Sequence, residues 1–383
     1  MKKRWRQALW WIAALVGMLC VSGCTAEREN ECNVEVSGIE LILDYEEELQ
    51  YATKFTLTRY QDGYSSFQIP EVDSEKLYLI IPEGKAVPEN LPEHTVLLQQ
   101  PITKICFASG SLASLAEALG AVECITTVAI ERDGWILDSV REGLDSGEIL
   151  YSGKFREPDF ELLLTQGIQL EIDTTMLLNY PDIRAKYDEL KIPYFIENST
   201  QEEHPLGRME WVKVLGAILG LDQEAKEWFD AQAAKVEAMH SEQNSPKTAA
   251  LFYIGENDTV YVRNASDYIP SMLQIAGGSY CMKDMLPDSG GTSKFGFEDF
   301  YAACKDADYL FWIVLACPYD TLEELIGYNE LFTDFKAVQN KTVYSSQRGF
   351  AQNTAELASV IEEMNQILND SGIEKTKTFV KLK

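Results

Sequence analysis

The sequence predicts an α/β protein of two lobes joined by a single long helix, with a ligand cleft between the lobes. Short apolar runs alternate with helix-period patterns on both sides of residues 221–243, and each side has the size of a domain. Within 221–243, Asp222 is a good N-cap, and Pro246 follows in a polar stretch that ends the helix. Spacings of three and four place five apolar residues of this segment on one helical face: Ala225, Phe229, Ala233, Val236 and Met239.

Composition bounds the class of protein. The 383 residues exceed one typical domain, and a hydrophobic fraction of 46% is that of a globular chain. The formal net charge is -28, so the surface repels nucleic acid, and we expect no nucleic-acid partner. An anionic ligand would need cations gathered at its site.

The N-terminus predicts a lipid-anchored protein. Residues 1–23 have a basic start and an apolar run, Ala8–Leu19, which is short for a membrane span. Small residues then precede Cys24, as in a bacterial lipobox, so we expect signal removal and lipidation of Cys24. Residues 24–50 would form a tether, and the protein would stand on the extracytoplasmic face of the cell membrane. The alternative is an ordinary secretory signal with an incidental cysteine.

The rest of the chain divides into three predicted parts besides the linker helix. Residues 51–95 predict a β-hairpin lead segment of structural function, 96–220 the N-terminal lobe and 247–370 the C-terminal lobe. In the first lobe, strands are predicted at 102–107, 124–129, 169–173 and 193–196, and helices at 112–119, 158–165, 181–190 and 204–219. In the second, strands are predicted at 248–254, 260–262, 309–315 and 342–344, and helices at 268–276, 297–304, 321–326 and 355–368.

Cysteine and histidine usage argues against a metal centre. No CxxC pair exists, and the three histidines, His94, His204 and His240, all read as surface residues away from strand ends. Free zinc or manganese is therefore a weaker ligand than a chelate. Cys20 would leave with the signal. We expect mostly buried thiols among the remaining cysteines, and their disulfide state is left open: Cys32, Cys106, Cys124, Cys281, Cys304 and Cys317.

Four local patterns carry a resemblance to a family. They are the strand-helix-strand at 105–129, the helix and turn at 157–168, the helix with paired glycines at 268–278 and the acidic helix start at 297–300. Their order resembles the substrate-binding lipoproteins of ABC importers, in the class with a rigid helical linker that serves ferric siderophores, haem and cobalamin. The run Thr165–Glu171 departs from the family by being more polar, and the 51–81 hairpin has no counterpart in the pattern.

The resemblance implies partners as well as a fold. In the family, one exposed carboxylate on each lobe docks into arginines of the membrane permease, and by position these are Glu161 and Glu298. With 61 acidic residues in the chain, the alternative is that both are ordinary solvated side chains. A stiff linker further implies little movement of the lobes on binding.

Ligand contacts are expected where cationic and aromatic side chains follow strand ends. Rings supply contact area, and guanidinium forks bind carboxylate or catecholate oxygens. The alternative for each residue is a place in the core or on the rim, or an ion pair with a nearby acid. The candidates are Arg132, Trp135, Tyr151 and Lys154 in the first lobe, with Tyr253, Tyr261, Arg263, Tyr268, Trp312 and Arg348 in the second.

The sequence thus predicts a monomeric receptor that captures an iron chelate, with no cofactor of its own and no catalysis, and delivers it to a permease. Haem or cobalamin is the alternative cargo. Two other classes stay open: a surface scaffold or adhesion lipoprotein, and a secreted hydrolase. The hydrolase lacks support because Ser109-Gly110-Ser111 is not a full GxSxG, and no HExxH or P-loop exists.

Overall fold

The structure is a computed structural model that describes residues 40–239, 247–255, 259–313, 321–350 and 352–383. The predictions for the signal peptide, for lipidation of Cys24 and for most of the tether lie outside these residues. Cys32, Cys317, His240 and the last residues of the predicted linker also lie outside them.

The lead segment forms a five-stranded sheet in the order β1-β2-β3-β4-β5. Strands β2 and β3 make the predicted hairpin, whose turn holds Asp62 and Gly63 at positive φ. Strand β5 pairs in parallel with β4, so this sheet extends to Gln99, beyond the predicted start of the first lobe at residue 96. Its elements are β1 Leu43–Glu46, β2 Thr56–Tyr60, β3 Ser65–Gln68, α1 Pro70–Asp73, β4 Leu77–Ile81 and β5 Thr95–Gln99.

The N-terminal lobe is a parallel sheet with strand order β12-β11-β6-β7-β8. Because all five strands are parallel, their carboxyl ends meet at one edge, where open α/β sheets bind ligands. Its elements are β6 Ile105–Phe107, α2 Gly110–Ala118, β7 Ile125–Val128, α3 Asp138–Ser146, β8 Leu150–Tyr151, β9 Gly153–Lys154, β10 Glu157–Pro158, α4 Phe160–Gln166, β11 Leu170–Thr174, α5 Pro181–Leu190 and β12 Tyr194–Glu197.

Two predicted helices of this lobe differ from the structure. The helix predicted from Pro158 begins at Phe160, because the Asp159 side chain caps it by accepting from the Leu162 N–H. The helix predicted at 204–219 is two helices, α6 Pro205–Glu210 and α7 Val212–Leu219. The break lies at Trp211, where the Val214 N–H bonds to the Trp211 carbonyl in a tight three-residue step.

The linker is helix α8, Asp222–Met239. The predicted face is buried, except that Met239 is only partly so. A Cβ added at Gly216 of α7 would lie 2.5 Å from the Ala225 Cβ, so only glycine allows the two helices to cross this closely. Helix α8 also packs against α6 and against α13, which closes the second lobe.

The C-terminal lobe has a seven-stranded sheet in the order β16-β14-β13-β17-β18-β19, with β15 paired to β13. Strands β13, β17 and β18 are parallel, while β14, β16 and β19 are antiparallel to their neighbours. The α/β fold of two sheets joined by one helix is as predicted. The lobe comprises β13 Lys247–Ile254, β14 Val260–Arg263, α9 Tyr268–Ile275, β15 Gly278–Tyr280, β16 Thr292–Phe295, α10 Phe297–Cys304, β17 Tyr309–Trp312, α11 Leu322–Tyr328, α12 Lys336–Gln339, β18 Val343–Ser346, α13 Leu357–Asn369 and β19 Phe379–Lys381.

Candidate ligand-binding cleft

The two lobes meet where the chain leaves strand β18. The Gln352 side chain donates to the Gly134 carbonyl at 3.0 Å, and the Ala355 N–H donates to the Ser114 hydroxyl at 3.2 Å. Gly349 has a φ of 78°, and a Cβ there would come within 1.9 Å of an Ile136 methyl. These contacts join the segment after β18 to the segment after β7 and to helix α2, and they mark the junction of the predicted cleft.

The N-lobe candidates are mostly committed to partners. Arg132 makes two hydrogen bonds to Asp145, at 2.8 and 2.7 Å, which lower the pKa of that carboxyl. Lys154 pairs with Glu131 at 3.1 Å. The ring of Tyr151, which is 38% exposed, remains available at the end of β8.

The structure buries three predicted ligand residues, which is a correction to their expected place in an open cleft. Trp135 is 1% exposed, and its indole N–H donates to the Ile130 carbonyl at 2.9 Å. Trp312 and Tyr268 are buried too. Large aromatic side chains at strand ends pack into these cores because hydrophobic burial stabilises them there.

Four C-lobe candidates lie together on one side of the sheet. Tyr253 and Tyr261 stack at a centroid distance of 4.6 Å, and the Lys294 ammonium lies 5.5 Å from the Tyr261 ring. Arg263 lies 5.7 Å from the Tyr268 ring and forms a bidentate ion pair with Asp267. Burial opposes the charge of Arg263, but Asp267 outweighs it and the pKa of the guanidinium is raised.

Arg348 differs from the other predicted arginines. It is exposed and, among the residues that the structure describes, it makes no side-chain hydrogen bond or ion pair. It precedes Gly349 and therefore lies beside the contact with Ile136 of the first lobe. Arg348 is thus an uncompensated cation next to the junction of the two lobes.

Sequence reasoning missed a second arginine near this junction. Arg208 of α6 is 3% exposed, its guanidinium stacks 3.9 Å from the Tyr268 ring, and its Nε has no hydrogen-bond partner in the part of the chain that the structure describes. It was overlooked because it lies inside an apolar helical pattern rather than after a strand. The contact joins α6, before the linker, to α9, after it.

Apolar residues at the edge of the first lobe were also missed. Met176 is 56% exposed and Leu178 37%, and both follow strand β11 directly. The rings of Phe155 and Tyr180 stack edge to face at 5.6 Å. The strand predicted at 169–173 indicated this edge of the lobe. Met176 and Leu178 were missed because only cationic and aromatic residues were considered as ligand contacts.

The two predicted docking glutamates are on the surface. Glu161 lies in the first turn of α4 and Glu298 in the first turn of α10, and both are exposed. Neither has a hydrogen-bond or salt-bridge partner within the described part of the chain. Their positions, one on each lobe, leave both carboxylates available to a partner.

The described ranges contain no group of three or more histidine, cysteine or acidic side chains that could hold a metal ion. His204 is not a plain surface residue as expected. It caps α6 by accepting from the Leu206 N–H and stacks on Tyr51 at 4.7 Å, and its burial lowers the pKa of the imidazole.

One family model and two solved structures are similar to this chain. Residues 175–347 match the family model described as periplasmic binding protein. The haem-binding protein HutB of Vibrio cholerae superposes with a TM-score of 0.56 at 14% identity, covering 70% of this chain and 99% of that one. The Desferal-bound siderophore-binding protein FhuD of the same organism gives a TM-score of 0.54 at 13% identity, covering 70% and 99%. The chain therefore has the two-lobed fold of these binding proteins, and residues 175–347 are similar to the periplasmic binding protein family, which confirms the predicted resemblance.

One relative spans the whole chain. An uncharacterized lipoprotein of Methanocaldococcus jannaschii is 25% identical over 410 aligned positions, which cover 96% of this chain and 95% of that protein. Among the described helices, none combines the length and apolar character needed to cross a membrane.

Proposed function

We propose that this chain is the lipid-anchored substrate-binding protein of an ABC importer, and that it captures a ferric siderophore and delivers it to the permease. The observation that carries the proposal of an anionic ligand is Arg348, an exposed guanidinium without an ion-pair partner among the described residues, beside the contact between the lobes. A chain with a net charge of -28 repels anions unless a local cation offsets that field.

The arginines divide by their partners. Arg132 and Arg263 already hold carboxylates of their own lobe, so an incoming anion would have to displace them. Arg348 has no such competitor, and its planar fork suits the carboxylate, hydroxamate or catecholate oxygens of a chelate. We therefore expect Arg348 to bind the anionic oxygens of the ligand in the proposed site.

Exposed apolar and aromatic groups support a bulky ligand. Tyr151 and Met176 are exposed at strand ends of the first lobe, and the stacked pair Tyr253 and Tyr261 lies in the second. Such surfaces contribute contact area to a ligand with greasy sectors.

Haem is the second candidate. Tyr151 and Met176 each carry an atom that can coordinate haem iron, and both are exposed after strands of the same sheet edge. A haem propionate would use Arg348 as a siderophore oxygen would. The two cargoes differ in whether a side chain of the protein binds the iron.

The test is a titration of purified protein with ferric hydroxamates, ferric catecholates, haem and cobalamin, followed by tryptophan fluorescence. For the ligand that binds, we expect Arg348→Ala to weaken affinity roughly 10- to 100-fold, because a charge-assisted hydrogen bond contributes about 1.5–3 kcal/mol. Arg132→Ala is the matched control and should change affinity little. Equal losses in the two variants, or no saturable binding by folded protein, would contradict the proposal.

Delivery has its own test. We expect charge reversal in the double variant Glu161→Lys/Glu298→Lys to abolish uptake in cells while the affinity for the chelate stays unchanged, because both carboxylates are exposed and free to meet a partner. Reversal of the exposed Glu123 and Asp182 is the control. Uptake that survives the first pair of reversals would refute docking through these residues and leave ligand capture untouched.

A further inference from the structure

We propose that Cys281 and Cys304 form a disulfide that ties helix α10 to the central sheet of the second lobe. Their sulfur atoms lie 2.8 Å apart while both are free thiols. A disulfide bond is about 2.05 Å long, so a side-chain adjustment of less than an ångström, roughly, would join them. Cys281 follows β15 directly, and Cys304 is the last residue of α10.

The two thiols differ in access. Cys304 is fully buried, whereas Cys281 is partly exposed. Burial, with a further contribution from Cys281, raises the pKa of Cys304, so its thiolate is the harder one to form. Cys281 is therefore the sulfur that an external oxidant reaches first, and Cys304 is the resolving thiol.

The other described cysteines lack this arrangement. Cys106 is a buried free thiol on β6, and its sulfur lies 3.3 Å from the Ser152 hydroxyl. Cys124 is a buried free thiol immediately before β7. Burial raises the pKa of both thiols. They are consequently internal controls for the reactivity of the Cys281–Cys304 pair.

The oxidation is a thiol–disulfide exchange with an external disulfide, RSSR, of the kind present outside the cytoplasm. The Cys281 thiolate attacks one sulfur of RSSR, forms a mixed disulfide and releases RS⁻. Cys304 then loses its proton and attacks the Cys281 sulfur, which displaces the second RS⁻. The two RS⁻ ions take up the two protons, so the protein gives up two electrons and RSSR becomes two RSH.

The disulfide would fix the position of helix α10 relative to the sheet of the second lobe. The Cys281 N–H donates to the Ala249 carbonyl of β13, so Cys281 is already fastened to the middle of the sheet. The α10 helix carries the exposed Glu298 in its first turn. A link at the other end of this helix would hold its direction relative to the sheet, whether or not Glu298 docks on a permease.

The experiment uses the folded full-length protein incubated with oxidised glutathione, then denatured, alkylated without reduction, digested and analysed by mass spectrometry. We expect one cross-linked peptide pair containing Cys281 and Cys304, which disappears on reduction with dithiothreitol. Oxidation should also raise the melting temperature by roughly 5 °C. Cys281→Ser should lose both effects, and Cys106→Ser should keep them.

Three outcomes would overturn the proposal, and all are read from the wild-type protein. One is complete alkylation of both cysteines after native oxidation. Another is a stable glutathione adduct on Cys281 while Cys304 remains a free thiol. The third is a cross-link from either cysteine to Cys32 or Cys317 instead.

Discussion

Two pairs of buried carboxylates in this protein have opposite surroundings. Glu202 and Glu210 lie where the lead segment meets the first lobe, and Glu171 and Asp173 lie on strand β11, between β12 and β6. All four are at most 2% exposed. The first pair is surrounded by hydrogen-bond donors, and the second pair largely lacks them.

At the lead junction, every carboxylate oxygen has a donor. Glu210 accepts from the backbone N–H groups of residues 50–52 at 2.8–2.9 Å and from the Lys213 ammonium at 2.8 Å. Glu202 accepts from the N–H groups of residues 53 and 54 and from the Trp211 indole at 3.1 Å. Five consecutive N–H groups of the lead segment thus end on two side chains of the lobe.

On strand β11 donors are few. Asp173 Oδ1 accepts from the Thr174 N–H, and the Cys106 thiol and the Tyr187 hydroxyl interact with the Glu171 side chain. Among the described residues, Asp173 Oδ2 and Glu171 Oε2 have no hydrogen-bond partner. Burial, with the neighbouring Asp173 charge, raises the pKa of Glu171 well above its usual range. Burial also raises the pKa of Asp173 to about 7, although the Thr174 N–H opposes the shift.

The difference shows that burial alone does not decide what an acidic side chain does. Where N–H groups converge on a carboxylate, its charge is solvated by the protein and fastens one segment to another. Where N–H groups do not converge on it, a buried carboxyl group favours its neutral, protonated form. The lead sheet is therefore held by carboxylates whose oxygens all have donors, whereas the pKa values of the two β11 carboxyl groups are raised.

Removal of the Glu210 carboxylate is expected to have the largest effect on stability and tests the first pair directly. Glu210→Ala leaves three N–H groups without an acceptor and the buried ammonium of Lys213 with only Glu47, at 3.6 Å, so we expect the free energy of unfolding to fall by about 3–5 kcal/mol. Urea unfolding monitored by circular dichroism measures it. Glu203→Ala, an exposed neighbour of Glu202, is the control and should stay within about 0.5 kcal/mol of wild type.

A loss near that of the control would mean that water or other groups satisfy these donors, and that the lead sheet does not depend on Glu210. A large loss confined to the lead segment would show instead that this sheet detaches while the lobes stay folded. Hydrogen exchange of residues 43–99 distinguishes partial from global unfolding.

Periodicity made the fold predictable. The face of α8 from Ala225 to Val236, the hairpin of the lead segment and the parallel strands of both lobes follow from apolar spacing, which depends on the side chains alone. The break at Trp211 was not predictable, because it depends on a local tight turn inside an otherwise continuous apolar pattern.

The site was predictable only in part, because a strand end does not reveal which side chains turn inward. Trp135 and Trp312 follow the same rule as Tyr151, yet both are buried while Tyr151 is exposed. The ion pair of Arg132 with Asp145 joins residues that are distant in sequence, so no local pattern marks it. Glu210 and Glu171 likewise cannot be told apart from the other acidic residues without knowing where the N–H groups of other segments lie.

A smaller effect is expected from Glu171 and Asp173, which should make the free energy of unfolding depend on pH. Between about pH 4 and 7, the folded state retains a proton on Asp173 that the unfolded chain has released. Stability therefore falls as pH rises through this window, by about 1.4 kcal/mol per pH unit for one such proton. Glu171 adds to the fall because its pKa is also raised. The double variant Glu171→Gln/Asp173→Asn carries no titrating proton, so we expect its unfolding free energy to decline less with pH than that of wild type.

The slope of the unfolding free energy against pH must be compared between wild type and the variants. An acidic chain also loses stability with rising pH through general repulsion among its 61 carboxylates. Asp182→Asn removes one exposed charge and should leave the slope nearly at the wild-type value. If the double variant and wild type gave parallel curves in urea unfolding between about pH 4 and 7, the β11 carboxyls would have to be ionised in the fold. They would then need donors, such as internal water, in addition to the Cys106 thiol, the Tyr187 hydroxyl and the Thr174 N–H.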